Sequence, residues 1–378
     1  MNIAILGYGI VGGGVHALLT DGALGIRVKR VLDVRSIEGL DDLLTDNIAD
    51  ILGDPDIHCI VETIGGMHPA LSYVTSALRS GKHVVTSNKE LVSHGMAPLM
   101  EGAAMHGVQI RFGASVGGGI PWIAGIARQR RADRIQAISG ITNGTTNFIL
   151  DAMAHGAQFA DALAQAQRLG YAEADASADL DGLDAQRKCA VSAAMAFDAV
   201  LETRDIPPLG ISSIQRADMD AFASRGLVCK LMMHAARQDA SLSAYVEPTL
   251  IGIDSLAAHV PTNHNYLCMD TVRAGRLGYF GQGAGRFPTA ETVVQDLLDI
   301  SAGVTYQARK AVPLPVQNDA VKHAYYVRTA VPGQFVAIRA EAWGAGILTQ
   351  TVSVERMHDL ARQARIEDPG VFIAGVQG

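Results

Sequence analysis

Short apolar runs alternate with helical patterns along the first third of the chain. Strands are predicted at residues 2–6, 27–33, 57–62, 83–86 and 107–112. Apolar residues at helical spacing lie between them, around 15–19, 40–52 and 69–80. Alternating strands and helices of this length predict a parallel sheet with helices on both faces. Runs this apolar are typical of strands that are buried on both sides.

The pattern changes after about residue 125. A strand is predicted at 134–141 and a strand-like run at 241–250. Helical patterns cover 146–155, 158–169, 184–199 and 289–302. Helices and strands are therefore no longer in regular alternation, which favours a second domain of the α+β type.

A glycine fingerprint marks the first turn of the chain. Gly7, Gly9 and Gly12 follow the first predicted strand and open a helix, in the spacing G-x-G-x-x-G. Gly7 permits a tight turn, Gly9 lets the backbone approach a pyrophosphate, and Gly12 allows close packing of helix and strand. The helix N-terminus then offers N–H groups to the phosphates. The sequence therefore predicts a dinucleotide site built on a βαβ unit.

We accordingly predict an α/β fold with a Rossmann-type doubly wound parallel sheet and a second α+β domain. The dinucleotide-binding domain is assigned to 1–125, with a return of the chain at about 289–320. The substrate domain is assigned to 126–288. Residues 321–378 are expected to form a short C-terminal extension, with a strand at 324–331 and a helix at 352–365, and not a complete regulatory domain.

The residues after the second strand leave the choice of cofactor open. Asp33 lies 21 residues after Gly12, where an acid hydrogen-bonds a ribose 2′-hydroxyl and favours NAD. Arg35 follows two residues later, and a guanidinium pairs with the 2′-phosphate of NADP. The two side chains point to different cofactors, so we expect NAD or NADP.

Composition narrows the class of protein further. Hydrophobic residues make up 48% of the 378 residues and charged residues 18%, which suits a folded chain with a sizeable core. The formal net charge of −7 disfavours a nucleic-acid partner. The four cysteines have no metal-ligand or redox spacing. With neither a signal peptide nor an apolar run of about 20 residues, the sequence leads us to expect a cytoplasmic protein without a membrane partner.

Acidic residues are concentrated just before a predicted helix. Asp184 and Lys188 are spaced i, i+4, so they share one face of that helix. An isolated pair of this kind is usually a surface ion pair. Here it ends a segment with five carboxylates, and an acid cluster suits the fixed ammonium of an amino-acid substrate. The five are Glu173, Asp175, Asp179, Asp181 and Asp184.

Four segments together strongly resemble the homoserine dehydrogenase family. They are 84–91 (VVTSNKEL), 114–121 (ASVGGGIP), 140–150 (GITNGTTNFIL) and 169–175 (LGYAEAD), the last continuing to Lys188. The loop 281–290 (GQGAGRFPTA) extends the resemblance to roughly residues 1–305. The sequence departs from the family at Ala176, where a proline is usual. That change removes a rigid turn but no reactive group.

The resemblance implies an NAD(P)-dependent enzyme that interconverts L-homoserine and L-aspartate 4-semialdehyde in threonine and methionine biosynthesis, and that forms a homodimer. It implies that Lys188 transfers the proton, oriented by Asp184, and that Lys89 binds substrate or cofactor and shares that work. A lysine does this when its surroundings lower its pKa. The implied substrate-binding residues are Thr145, Tyr171, Glu173, Asp179 and Asp184. We expect the cofactor site to include Gly7, Gly9, Ile10, Val11, Gly12, Asp33, Arg35, Thr63, Ser87, Lys89 and Gly283.

Members of this family also hold a monovalent cation. Its ligands are backbone carbonyls, which match Val116, Gly118 and Ile120 here, and one glutamate. This chain has Gly113 at the position of the glutamate, so the sequence leaves the binding of a cation open.

Two other functions share the glycine fingerprint. Another two-domain NAD(P) oxidoreductase, such as a sugar or dipicolinate-type reductase, would not need the segment from Glu173 to Lys188. A catalytically silent cofactor sensor would be expected to lack Lys89 or Lys188, and both are present. An assay with L-homoserine distinguishes these two functions from that of a homoserine dehydrogenase. It follows the absorbance of the reduced nicotinamide with each cofactor.

Overall fold

Eighteen strands and twelve α-helices are assigned in the computed structural model, which describes residues 1–306 and 311–377. The strands are β1 (Asn2–Leu6), β2 (Arg27–Leu32), β3 (Leu44–Thr45), β4 (Cys59–Glu62), β5 (His83–Thr86), β6 (Ile110–Arg111), β7 (Ile135–Ile141), β8 (Ala199–Val200), β9 (Leu227–Gln238), β10 (Ser241–Gly252), β11 (His264–Thr271), β12 (Gly275–Gln282), β13 (Val312–Pro313), β14 (Lys322–Arg328), β15 (Arg339–Trp343), β16 (Gly346–Thr349), β17 (Val352–Ser353) and β18 (Phe372–Gln377). The helices are α1 (Ile10–Leu19), α2 (Ala49–Leu52), α3 (Ala70–Arg79), α4 (Lys89–Met105), α5 (Trp122–Gln129), α6 (Gly144–Ala154), α7 (Phe159–Arg168), α8 (Ser177–Leu180), α9 (Leu183–Phe197), α10 (Arg216–Ala223), α11 (Arg286–Ser301) and α12 (Val354–Glu367).

The chain divides into two units. The first comprises residues 1–132, 194–200 and 281–312, and the second the remaining described residues. The chain thus returns to the first unit at 281–312, whereas the sequence predicted a return at about 289–320. Residues 307–310 of that predicted segment lie outside the described residues.

A six-stranded parallel sheet forms the centre of the first unit, in the order β3-β2-β1-β4-β5-β6. Its strands β4 and β5 are almost entirely buried. One apolar cluster includes Ile5, Val15 and Leu297, from β1, α1 and α11. Another includes Leu6 and Val74, from β1 and α3. Alternate residues of β1 thus enter two cores, which confirms the predicted doubly wound sheet.

The strand order reverses between β1 and β4. The chain builds β1, β2 and β3 toward one edge of the sheet and then returns to build β4, β5 and β6 toward the other. In open sheets of this kind, ligands bind at the carboxyl ends of the two strands that flank the reversal. The fold therefore places the candidate nucleotide site after β1 and β4.

The second unit is organised around a long mixed sheet in the order β12-β11-β7-β9-β10-β18-β14-β16-β15. Its longest strands, β9 and β10, form an antiparallel pair over all twelve residues of each. Helix α6 packs against β9 and β11. The sequence predicted β7 and β10 but not β9, β11 or β12.

The C-terminal segment is richer in structure than the sequence predicted. The predicted strand and helix are present as β14 and α12, but β15, β16 and β18 accompany them. Their order β18-β14-β16-β15 is that of a β-α-β-β-α-β unit in which the first helix is reduced to a 3₁₀ helix over Pro332–Ile338. Strand β18 pairs in parallel with β10, so the segment continues the sheet of the second unit.

None of the helices described in the structure is long and apolar enough to cross a membrane.

Candidate active site

The glycine turn after β1 is built on close backbone approaches. Gly7 has φ +89°, a conformation that favours glycine. A Cβ on Gly12 would lie 2.1 Å from the Gly7 carbonyl oxygen. Thr63, which follows β4, donates a hydrogen bond from Oγ1 to that same oxygen at 2.7 Å. The turn is therefore too tight for a side chain at Gly12, and Thr63 holds it from the neighbouring strand.

The N-terminus of α1 leads directly out of this turn. Gly9 is the N-cap residue, and the space where its side chain would lie is open. Ile10 is exposed, and the first turn of the helix contains no acidic residue. Free N–H groups and the positive end of the helix dipole favour an anion at this position. Gly9, Ile10 and Val11 thus present a surface that suits a pyrophosphate.

Other predicted cofactor residues lie at the same edge of the sheet. Asp33 follows β2, Thr63 follows β4, and Ser87 follows β5, so they lie at the carboxyl ends of strands on either side of the reversal. Lys89 is the half-buried first residue of α4, whose N-terminus is capped by the side chain of Asn88. Gly283 lies against the 116–120 loop. A Cβ added to Gly118 would lie 2.5 Å from the carbonyl carbon of Gly283.

Asp33 and Arg35 bind each other. The Arg35 guanidinium donates to both carboxylate oxygens of Asp33, at 2.9 and 2.8 Å, and the backbone N–H of Tyr8 donates to Asp33 Oδ2 at 2.8 Å. The hydrogen bond from Arg35 is the main reason why the pKa of Asp33 is lowered. The Asp33 side chain is 7% exposed and that of Arg35 62%. The guanidinium is thus the accessible member of the pair.

The predicted proton-transfer pair is formed at the start of α9 in the second unit. Lys188 Nζ lies 2.7 Å from Asp184 Oδ2 and donates to the Thr142 carbonyl oxygen at 2.6 Å. Both side chains are buried. Gly182, with φ +82°, ends the preceding turn and starts the helix. Asp184 therefore lies in the first turn of α9, where the helix dipole favours a carboxylate.

Asn143 joins two carboxylates of the cluster, the buried Asp184 and the half-buried Asp179. Its Nδ2 donates to Asp179 Oδ1 at 2.7 Å and to Asp184 Oδ2 at 2.9 Å. Its Oδ1 accepts from the Thr146 N–H at 2.8 Å and so caps α6. Burial and the charge of Asp184 raise the pKa of Asp179, and the hydrogen bond from Asn143 opposes that rise. Asn143 was not among the site residues predicted from the sequence, although its place before a helix is a known capping signal.

The other predicted substrate-binding residues have different surroundings. Thr145 is buried and donates from Oγ1 to the Tyr171 carbonyl oxygen at 2.6 Å. The Tyr171 ring meets Phe148 edge-on, with ring centroids 5.3 Å apart. Glu173 is exposed, as are Asp175 and Asp181. Of the five clustered acids, Asp179 and Asp184 are thus the pair that the structure brings together.

Two buried polar atoms near Lys188 are not satisfied by the described residues. They are Thr142 Oγ1 and Asn265 Oδ1. Asn265 Nδ2 donates to the Thr142 carbonyl oxygen at 2.9 Å, the same oxygen that Lys188 contacts. Because buried polar groups are nearly always hydrogen-bonded in folded proteins, these atoms mark a polar environment suited to a bound group. Neither Thr142 nor Asn265 was among the site residues predicted from the sequence.

The first unit thus offers a dinucleotide cradle, and the second a buried lysine among carboxylates. These features define the class of NAD(P)-dependent oxidoreductases. Family models agree: the model described as homoserine dehydrogenase, NAD binding domain, matches residues 7–113, and the one described as homoserine dehydrogenase matches residues 121–298.

Individual relatives agree with the family models. The chain is 38% identical over 327 residues to the homoserine dehydrogenase of Corynebacterium glutamicum, covering 82% of this chain and 74% of that one. It is also 38% identical to that of Synechocystis over 322 residues, or 81% and 74% of the two chains. A homoserine dehydrogenase structure from Thiobacillus denitrificans superposes with a TM-score of 0.87 at 32% identity, covering 100% of this chain and 98% of the other. The chain belongs to the homoserine dehydrogenase family.

Proposed function

We propose that this enzyme interconverts L-homoserine and L-aspartate 4-semialdehyde through the residues described above. In the oxidation, the C4 hydroxyl loses its proton while a hydride leaves C4. A nicotinamide cofactor held by the first unit would supply the hydride acceptor for the oxidation and the hydride for the reduction. The protein must therefore bind an ammonium and a carboxylate, orient C4, and move one proton to or from the substrate oxygen.

The observation that carries this proposal is the buried contact of Lys188 with Asp184. Two of the three ammonium protons of Lys188 have acceptors in Asp184 and the Thr142 carbonyl. The third remains for the substrate oxygen. In the reduction, Lys188 donates this proton to the aldehyde oxygen as the hydride arrives. In the oxidation, neutral Lys188 removes the hydroxyl proton, and Asp184 stabilises the ammonium that forms.

We assign binding of the substrate ammonium to the acidic residues. Asp179 is half-buried beside Asp184 and shares the Asn143 amide with it. Two carboxylates this close favour a bound cation because it relieves their mutual repulsion. We assign Thr145 and Tyr171, which are joined by a hydrogen bond, to the side of the substrate site next to these acids. Glu173, which is exposed, is assigned to the mouth of the site.

We assign binding of the cofactor to residues of the first unit. We assign the pyrophosphate to the turn from Gly7 to Gly12 and the adenosine ribose to Asp33 and Arg35. Thr63, Ser87 and Lys89 complete this assignment, because they lie at the carboxyl ends of the sheet or directly after them. Lys89 is the first residue of α4. We propose that its ammonium binds cofactor or substrate and that it shares the proton transfer with Lys188.

Replacement of Lys188 by methionine tests the proposed chemistry. Methionine keeps the length of the side chain but carries no proton, so we expect kcat with L-homoserine to fall by roughly 10²–10⁴-fold. NADPH binding, measured by fluorescence, should change by less than about twofold, since the cradle is in the first unit. Turnover is followed by the absorbance of the reduced nicotinamide with each cofactor.

A matched control is Lys322→Met, because Lys322 is exposed on β14. This variant should retain the activity of the wild type. A Lys188→Met enzyme with near-normal kcat would show that the proton is transferred by another group.

We also propose that the enzyme is a cytoplasmic homodimer. All four cysteines are free thiols and are buried, as is usual in a reducing compartment. Strand β12 forms an edge of the long sheet and exposes Phe280, which is 58% accessible. An edge strand with an exposed aromatic residue is a natural surface for pairing with a second copy.

A further inference from the structure

The loop over 113–120 matches the cation-binding segment of the family, but its polar atoms have partners of their own. The Gly118 carbonyl accepts a hydrogen bond from Thr292 Oγ1 on α11 at 2.7 Å. The Ile120 carbonyl accepts from the Trp122 N–H at 2.7 Å. Two of the three carbonyls expected to bind a cation are thus already hydrogen-bonded within the first unit.

The position of the missing glutamate is occupied by another carboxylate. Gly113 has no side chain, and its N–H donates to Asp296 Oδ2 of α11 at 2.8 Å. A Cβ added at Gly113 would lie 2.8 Å from that oxygen and 3.1 Å from Thr292 Cγ2. A glutamate at this position would therefore crowd Asp296 and Thr292, and the Asp296 carboxylate would have to shift. The glycine leaves room for the Asp296 carboxylate beside the Gly113 N–H.

A positive charge is already present beside this carboxylate. The Arg111 side chain is fully buried, and its Nη1 lies 2.9 Å from Asp299 Oδ2 and 4.0 Å from Asp296 Oδ1. Its Nη2 donates to the Val304 carbonyl. The guanidinium also lies over the ring of Tyr306, 4.0 Å from the ring centroid. A second cation near Asp296 would have to overcome repulsion from this fixed charge in a medium of low dielectric constant.

We propose that the Arg111 guanidinium, together with Thr292 and Asp296 of α11, replaces the monovalent cation in this enzyme. Thr292 holds the loop at the Gly118 carbonyl, Asp296 holds it at the Gly113 N–H, and Arg111 supplies the positive charge. The loop then keeps its conformation without Na⁺ or K⁺. This inference concerns the first unit alone and does not depend on the roles assigned to Lys188 or to the acidic residues.

The test compares the wild-type enzyme in NaCl, KCl and N-methyl-D-glucamine chloride at equal ionic strength, after exhaustive dialysis into the last salt. We expect Tm to agree within about 1 °C among the three salts, and kcat/KM to agree within about twofold. Saturable stabilisation or activation by Na⁺ or K⁺, beyond that of N-methyl-D-glucamine, would overturn the proposal. Because Tm is read without substrate, a failure here is distinguishable from a failure of the proposed reaction.

Two variants test the guanidinium itself. Arg111→Met removes the buried positive charge that faces Asp299 and Asp296, so we expect a lower Tm that Na⁺ or K⁺ raises by several degrees relative to N-methyl-D-glucamine. Arg111→Lys keeps a positive charge and should remain insensitive to the cation. A folded Arg111→Met enzyme whose Tm does not respond to Na⁺ or K⁺ would contradict the replacement.

A second variant is available if Arg111→Met fails to fold. Thr292→Val frees the Gly118 carbonyl, so its Tm should also rise with Na⁺ or K⁺. A Thr292→Val enzyme without this cation response would count equally against the proposal.

Discussion

Asn143 shows how one amide can organise two charged groups. Its NH₂ group donates to Asp179 and Asp184, while its oxygen caps α6. Hydrogen bonds to the ionised form lower the pKa of a carboxyl group. The Asn143 amide therefore helps to keep Asp179 ionised, although burial and the charge of Asp184 act in the opposite direction. We interpret Asn143 as a positioning residue for the acidic pair.

Replacement of Asn143 by serine separates its two roles, because serine still caps a helix but cannot bridge two carboxylates. Asp179 must be ionised to bind an ammonium, and loss of the amide should raise its pKa further. We expect the acid limb of the kcat/KM profile to move to higher pH and KM for L-homoserine to rise about tenfold or more, with Tm nearly unchanged. An unshifted acid limb accompanied by a lower Tm would assign Asn143 to helix capping alone.

Arg35 is the residue that we expect to decide between the two cofactors. Both oxygens of Asp33 already accept hydrogen bonds from Arg35, and Oδ2 also accepts from Tyr8. The carboxylate is thereby less available to a ribose 2′-hydroxyl, whereas the exposed guanidinium can meet a 2′-phosphate. The wild-type enzyme should accordingly use both cofactors, with the better kcat/KM for NADP.

The variant Arg35→Ala should lower kcat/KM for NADP by about tenfold or more, equivalent to about 1.4 kcal/mol. The value for NAD should stay the same or improve, because Asp33 is released. Steady-state kinetics with each cofactor make the measurement. Arg79→Ala is the matched control, since Arg79 is exposed at the end of α3, which leads back to the opposite edge of the sheet. Equal losses with NAD and NADP would contradict a role in discrimination.

At the scale of elements, the central parallel strands of the first unit were predictable because each contains consecutive apolar residues. Strand β4 (CIVE) and strand β5 (HVVT) are buried on both faces, so their hydrophobic runs are unbroken. The turn at Gly7 was predictable for a different reason, since close backbone approaches restrict that position to glycine. In this part of the chain, the structure that the local sequence favours is also the one that the surrounding fold stabilises.

Strand β9 was missed because its composition resembles that of a helix. Its sequence LVCKLMMHAARQ is rich in leucine, methionine, alanine, lysine and arginine, which are good helix formers. The strand is stabilised by pairing with β10 on one side and β7 on the other. Its Lys230 is buried and donates to Asn147 Oδ1 and the Val260 carbonyl. Tertiary contacts therefore override local propensity here.

The candidate site was only partly predictable for a related reason. The spacing of Asp184 and Lys188 on one helix face is a local property, and the structure has them in contact at 2.7 Å. The bridge from Asn143 joins residues about 40 positions apart, and the contact of Gly113 with Asp296 spans 183 positions. Neither leaves a periodic signal in the sequence, because such contacts are created by the fold itself.

At the scale of the whole molecule, the C-terminal segment is tied to its unit by buried charges as well as by strand pairing. Asp218 of α10 accepts hydrogen bonds from Tyr326 and Arg328 of β14. Glu247 of β10 accepts from His323 of β14 and His358 of α12, at 2.8 and 3.1 Å. Removing one partner of a buried ion pair is strongly destabilising. The segment is therefore an integral part of the second unit, and its attachment should depend on pH.

Glu247 provides the test of that dependence. Burial opposes its ionisation, but hydrogen bonds from His323 and His358 outweigh burial and lower its pKa from 4.5 to about 2. The ionised glutamate thus contributes on the order of 3 kcal/mol above pH 4.5, and the contribution is lost as pH falls toward 2. The groups that face this region from β9, β10, β14 and α12 are His234, Tyr245, His323, Tyr325 and His358. Burial lowers the pKa of His234 to about 4, so this residue also destabilises the fold as pH falls from 6.5 to 4.

A comparison of Glu247→Gln with the wild type isolates the contribution of the glutamate. In urea unfolding, the variant should have a much lower free energy of unfolding than the wild type at pH 7, and this deficit should shrink between pH 4.5 and 3. Glu355→Gln, at an exposed position of α12, should show neither effect. A Glu247→Gln deficit that is the same at every pH would mean that shape, and not charge, holds the C-terminal segment in place.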